Sequence, residues 1–319
     1  MPIISHSKYR RPWYLFNRHL ETVLPFYTFD DLENIYDRER LELPDGDFLD
    51  LDWLSNNNNR LIILSHGLEG NSHSHYIKQA TRFFSKKNWD VLAWHFRSCS
   101  KELNRSPRLY SGADSDDLKA IIFHALEQKK YGSVILIGFS LGAITTLKLL
   151  SETNVPSAIK GAVTFSVPCD FSDSMEQLKG INRIYEKQFL KKLHRKILRK
   201  KEQYRKSLNF QDIDQINSLV EFIERFTVPL CGFEDINDFY KESSPELSNI
   251  TTPTLIVNAL NDPLLGSKCY PFEVAKKSEY IFLETPTKGG HCGFSLHGKG
   301  HSWMEERSAL FINEVLGIS

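Results

Sequence analysis

Two hydrophobic periods alternate along most of this chain. Short, unbroken apolar runs at 61–65, 91–94, 134–137, 161–165, 254–257 and 280–283 have the length of strands buried on both faces. Between them lie stretches of helical period. One falls near 74–84; another runs from about 114 to 127, where Leu118, Ile121, Ile122, Ala125 and Leu126 share a face behind an Asp114 or Ser115 cap. Strand alternating with helix predicts a mostly parallel sheet covered on both faces, the α/β class. Residues 40–53 alternate around Asp45-Gly46 instead, which predicts an antiparallel hairpin with one wet face. A last helix carries Trp303, Leu310 and Phe311 on one side.

Between 166 and 250 the strand signals vanish and charged helical sequence takes over. This divides the chain into a core of residues 1–165 and 251–319 and a helical cap inserted at 166–250. The cap's basic run, 191–201, has Leu190, Leu193 and Ile197 along one side. It reads as a solvated helix with a narrow buried stripe, contact with anionic lipid or an acidic substrate being the alternative. The aromatic segment 11–22 reads as structural, docked on the body.

The run at 134–137 ends in Gly138-Phe139-Ser140-Leu141-Gly142 and continues into helix-forming sequence. A strand that turns sharply into a helix through Gly-x-Ser-x-Gly is a nucleophile elbow, with the serine hydroxyl lifted above the sheet edge. A serine needs a base, and the base needs a carboxylate to fix its tautomer. Asp262 directly follows the 254–257 strand, and His291 lies in a glycine-flanked loop after the 280–283 strand. His297 and His301 are rival bases, Ser65, Ser166 and Cys292 rival nucleophiles, and Asp235 the next acid. Oxyanion donors are expected from the amides of Leu141, after the nucleophile, and Leu68, on the His66-Gly67 loop. His66, His73 and His75 match no standard ligand spacing, so no metal is expected and His66 reads as a brace for that loop.

Composition narrows the partners. Forty basic residues balance forty acidic ones, so no global field favours nucleic acid. Five scattered cysteines without a Cys-x-x-Cys pair argue against a disulfide framework and point to a reducing, cytoplasmic setting. No run approaches the length of a membrane span.

Several blocks together resemble the YheT-like family of α/β-hydrolases, a bacterial group related to membrane-anchored animal lipid hydrolases. They are Asn17-Arg18-His19-Leu20-Glu21-Thr22, His66-Gly67-Leu68-Glu69-Gly70, Asn104-Arg105-Ser106-Pro107-Arg108 with Asp116-Asp117-Leu118, the elbow, Asn261-Asp262-Pro263 and Gly289-Gly290-His291-Cys292-Gly293-Phe294. The resemblance implies an α/β-hydrolase fold, with nucleophile, acid and base on Ser140, Asp262 and His291. Departures fall at Cys231, where the family commonly has histidine, at His75, where proline is usual, and at Ser98, where glycine is. The implied activity is hydrolysis of carboxylic esters, short- to medium-chain or lipid-derived, through an acyl-enzyme and without a cofactor. Acyl transfer to an alcohol and non-catalytic binding on the same scaffold are the alternatives. The partner is a small-molecule ester; peripheral lipid contact and oligomeric state stay open. Phe222, Phe226, Leu230, Phe233 and Phe239 are expected to roof the acyl site, with the segment around Trp13 and Phe16 next in line.

Overall fold

Alternate residues of each apolar run face opposite sides, and each side finds its own helices. A computed structural model describes residues 3–28, 34–152, 155–204 and 213–318; part of the expected cap, 205–212, lies outside them. Among the described residues nine strands form one sheet: β1 (Ile3–Ile4), β2 (Asp37–Glu42), β3 (Phe48–Leu54), β4 (Arg60–Ser65), β5 (Asp90–Trp94), β6 (Ser133–Phe139), β7 (Ile159–Phe165), β8 (Thr254–Val257) and β9 (Ile281–Glu284). Their order across the sheet is β1-β9-β8-β7-β6-β4-β5-β3-β2. Pairing is parallel from β1 to β5, while β3 runs antiparallel to β5 and β2 antiparallel to β3.

Helices α1 (Arg18–Thr28), α2 (His75–Lys86), α3 (Ser115–Gln128), α4 (Leu141–Ser151), α10 (Phe272–Lys277) and α11 (Trp303–Glu314) surround this sheet. Leu61, Ile63 and Leu136 pack with Leu118 and Ile122 of α3 and Ile144 and Leu147 of α4. Ile62, Leu64 and Ile135 pack on the other side with Ile77 and Phe84 of α2 and Phe311 and Ile312 of α11. Two-sided burial of this kind leaves no strand position for water, which is why the runs read as continuous rather than alternating. Ser302 starts α11 with a full capping box to Glu305.

The hairpin departs from expectation. Its wet face falls on β2 alone, while Asp50 and Asp52 of β3 are buried. They stay charged because Arg40 Nε reaches Asp50 at 2.8 Å and Arg38 Nε reaches Asp52 at 2.6 Å, with His95 Nε2 2.9 Å from Asp52. A buried carboxylate is tolerated when it is paired in this way.

Between β7 and β8 the described chain is helical: α5 (Phe171–Gln177), α6 (Arg183–Tyr204), α7 (Leu219–Phe222), a π turn at Ile223–Thr227, α8 (Val228–Cys231) and α9 (Ile236–Glu242). The basic helix keeps the expected stripe of Leu190, Leu193 and Ile197 buried and Lys191, Lys192, Arg195 and Arg199 exposed, but two of its lysines are buried as well. Lys196 is buried with Nζ 2.5 Å from Glu69 Oε1, and Lys200 is fully buried with Nζ 2.7 Å from both Asn104 Oδ1 and Ser106 O. Burial pushes the Lys200 ammonium down to about 8. These lysines tie α6 to the loops beyond β4 and β5, four residues apart on one face of the helix. None of the described helices is long and apolar enough to cross a membrane.

Candidate active site

Ser140 sits between β6 and α4 at φ 53° and ψ −116°, a backbone conformation that L residues avoid. The turn is this tight because two neighbours lack side chains. A Cβ on Gly138 would lie 2.6 Å from the Ala143 Cα, and one on Gly142 would run into the backbone of Ser65 and His66. The chain therefore lifts the Ser140 hydroxyl off the sheet edge toward the loops after β8 and β9.

Those loops bring the other two expected groups to it. His291 Nε2 is 2.9 Å from Ser140 Oγ, and His291 Nδ1 is 2.9 and 3.1 Å from the two oxygens of Asp262. Asp262 is buried and Oδ1 also accepts from the Leu264 amide at 2.9 Å. With Nδ1–H donating to the carboxylate, Nε2 is left to accept the serine proton.

Beside the elbow, the expected oxyanion loop packs closely: a Cβ on Gly67 would lie 3.2 Å from the Ser140 Cβ. Gly67 N donates to Tyr76 Oη at 3.0 Å and Glu69 N to Tyr110 Oη at 2.8 Å, so the amides on either side of Leu68 are already engaged. Leu141 N opens α4, where the first amides have no acceptor within the helix. His66 braces the loop, with Nδ1 2.7 Å from Gly67 O and Nε2 accepting from Phe96 N at 3.2 Å. Burial pushes its imidazole down to about 3, so it is a neutral strut.

The rivals have other employment. Ser65 Oγ accepts from Trp94 Nε1 and Ser166 Oγ from Cys292 N. Burial pushes the Cys292 thiol up, away from the reactive thiolate. Asp235 caps α9 by accepting from the Asn237 and Asp238 amides. His301 is 3.0 Å from Glu306, and His297 is exposed against Tyr14. Among the described residues no group of three or more His, Cys, Asp or Glu side chains is placed to hold a metal ion.

The five expected roof residues share one apolar cluster. Phe222, Phe226 and Phe239 are buried within the interior of the β7–β8 helices, packed with Leu193, Ile197 and Leu264, and Leu230 and Phe233 rest against the same cluster.

What the sequence did not reveal is the job of the N-terminal segment. Four consecutive amides of the histidine loop each donate to a side chain from elsewhere: Gly289 N to Glu21 Oε2 (2.5 Å), Gly290 N to Asn261 Oδ1 (3.1 Å), His291 N to Thr22 Oγ1 (3.0 Å) and Cys292 N to Ser166 Oγ (2.9 Å). Glu21 is wholly buried. It also accepts from Asn261 Nδ2 at 3.1 Å, on the loop that carries Asp262, and pairs with Arg11 at 3.1 Å. The one signal was a carboxylate and a hydroxyl adjacent in an aromatic segment; spacing alone could not say which loop they meet.

Glu21 is thus a positioning residue for both loops. Glu21→Ala is expected to lower kcat on a soluble ester by about 10- to 100-fold, on the scale that an ångström of misplacement costs. KM should change less than kcat, and Glu21→Gln, which keeps an acceptor for Gly289 N, should recover most of the loss. Steady-state kinetics check this; equal kcat values in all three proteins would remove the role.

Residues 56–268 match the family model described as serine aminopeptidase, S33. YheT of Escherichia coli (strain K12) is 31% identical over 307 residues, spanning 91% of this chain and 88% of YheT. Phospholipase ABHD3 of Homo sapiens is 26% identical over 306 residues, spanning 92% of this chain and 75% of the relative. Among solved structures, the esterase Pf2001 of Pyrococcus furiosus superposes with a TM-score of 0.58 at 18% identity, covering 88% of this chain and 91% of that one.

Proposed function

The chain belongs to the YheT-like family of α/β-hydrolases, and from that premise we propose that it cleaves carboxylic esters through an acyl-enzyme on Ser140. The observation that carries this reading is the hydrogen-bonded line from Ser140 Oγ through His291 to Asp262, with the serine in its strained turn. His291 Nε2 takes the hydroxyl proton as Oγ attacks the ester carbonyl, and Asp262 stabilises the imidazolium. The amides of Leu68 and Leu141, with the N-terminus of α4 behind Leu141, receive the negative charge on the tetrahedral oxygen. His291 then delivers its proton to the departing alkoxide. Water, activated by the same nitrogen, releases the acid and restores the serine.

Two relatives support an acyl group of lipid origin: ABHD3 carries the name of a phospholipase, and a relative from Saccharomyces cerevisiae (strain ATCC 204508 / S288c) that of a monoacylglycerol lipase. The helices between β7 and β8 form the cap in this reading. Tyr185 of α6 is 2.9 Å from His19 Nδ1, and the nearby Asp262 carboxylate adds to the burial that raises its hydroxyl. It therefore stands where cap, α1 and acid loop meet.

A panel of p-nitrophenyl esters of graded acyl length, run with and without an added alcohol, tests the proposal. Release of free acid at all chain lengths tried, with little alcohol ester formed, is expected. Alcohol ester as the main product would make the chain an acyltransferase, and the absence of turnover with any ester would leave the scaffold without this reaction.

A further inference from the structure

Helix α1 is built inside out. Its inward positions, four apart, are Glu21 and Pro25, while Val23, Phe26 and Tyr27 point to water and Tyr27 is 72% exposed. Ordinary surface helices keep the apolar stripe inside. The turn leading into it is no different, for Trp13 is 84% exposed and Phe16 70%. Scattered apolar residues on a surface need no explanation, but an aromatic cluster on one short segment marks a contact.

We propose that this face is a docking surface for an anionic lipid bilayer. Its composition fits: Trp, Tyr and Phe are the residues that settle at the membrane–water boundary, where an apolar ring meets a wet edge. Its charge fits too. Within residues 3–28 the single carboxylate, Glu21, is buried against Arg11, whereas Lys8, Arg10 and Arg18 are exposed. A two-fold symmetric second copy would set these cations against their own kind, while acidic headgroups complement them. Of the basic helix that first suggested lipid contact, Lys196 and Lys200 are unavailable, buried under the loops they hold.

Position gives the surface its purpose. The inner side of α1 holds the His291 loop through Thr22, and His19 meets Tyr185 on α6. Next to Tyr185, Ile184 is 61% exposed, and one turn on Lys187 is exposed as well. Docking would therefore bring the junction of α1 and α6 to the lipid surface, beside Ser140. This consequence rests on the proposed ester hydrolysis; the docking itself does not.

Co-flotation of the full chain with vesicles of phosphatidylcholine, alone or mixed with phosphatidylserine, tests it. Binding to the mixed vesicles is expected, weakened by added salt, and about tenfold or more weaker when Val23→Ser, Phe26→Ser and Tyr27→Ser are combined. The same variant should hydrolyse a soluble short-chain ester at the wild-type rate. Because Phe26 edges onto His75, Arg18→Glu at an exposed position provides a second variant that leaves packing alone and should also weaken binding. Absence of wild-type binding, or binding unchanged in both variants, overturns the proposal. So does a dimer in the absence of lipid that the triple variant dissociates, since a second copy would then be the occupant. Vesicle binding without ester turnover would overturn the hydrolase reading alone, and turnover without vesicle binding the docking alone.

Discussion

Ser140→Ala is expected to lower kcat by about 10⁴-fold or more and to abolish covalent labelling by a fluorophosphonate, with the fold intact. In the proposed mechanism the hydroxyl carries the whole covalent step, and what survives its loss is catalysis by the oxyanion donors alone. Folding should hardly notice. The strain at Ser140 belongs to its positive φ, which alanine suffers equally, because both residues carry a Cβ. The substitution removes one hydrogen bond, from Oγ to His291 Nε2, at a half-exposed position where water can replace it, so a stability change below about 1 kcal/mol is expected. Intact-mass measurement after probe treatment, beside thermal unfolding, checks both halves. Labelling of the alanine protein would move the nucleophile elsewhere, and Ser65, Ser166 and Cys292 are poor candidates, since all three are buried and both serine hydroxyls already accept a hydrogen bond.

Much of this arrangement was legible before any coordinates. The strands could be read because two-sided burial demands uninterrupted apolar runs, and β4, β5, β6, β7 and β8 lie where those runs are. Ser140 could be read because a strained turn needs glycine on either side of it, which is a local requirement. Asp262 and His291 followed from strand order, since loops after successive parallel strands emerge at the same sheet edge. What stayed hidden was everything set by a partner distant in sequence. Glu21 and Gly289 are bonded across almost the full chain, and no periodicity links them. Asp50, Asp52, Lys196 and Lys200 look like solvated charges because a sequence shows the charge and not the group that neutralises it. The segment 11–22 docks on the body as expected through Leu15 and Glu21, but Trp13 and Phe16 lie outside, for a sequence shows an aromatic residue and not what covers it.

Asp262→Asn is expected to lower kcat by about 10⁴-fold while leaving KM within a few-fold, because the change acts on a tautomer rather than on binding. The structure fixes how the new amide must sit. Leu264 N donates to Oδ1 at 2.9 Å, so the position of Oδ1 must stay an acceptor and will be taken by the amide oxygen. Nδ2 then occupies the place of Oδ2, 2.9 Å from His291 Nδ1, and points a hydrogen at it. Nδ1 lies nearer this N–H than the amide oxygen at 3.1 Å, which favours Nδ1 as an acceptor and moves the imidazole proton to Nε2. There it faces Ser140 Oγ as a donor, and no lone pair remains to take the serine proton. The volume and nearly all the hydrogen bonds are kept, so thermal unfolding should shift little. Asp235→Asn is the matched control, a carboxylate that only caps α9; it should change kcat by less than about twofold and cost a few tenths of a kcal/mol of stability. Turnover of Asp262→Asn within tenfold of wild type, or an Asp235→Asn protein more impaired than it, would mean that His291 draws its orientation from a group other than the carboxylate beside it.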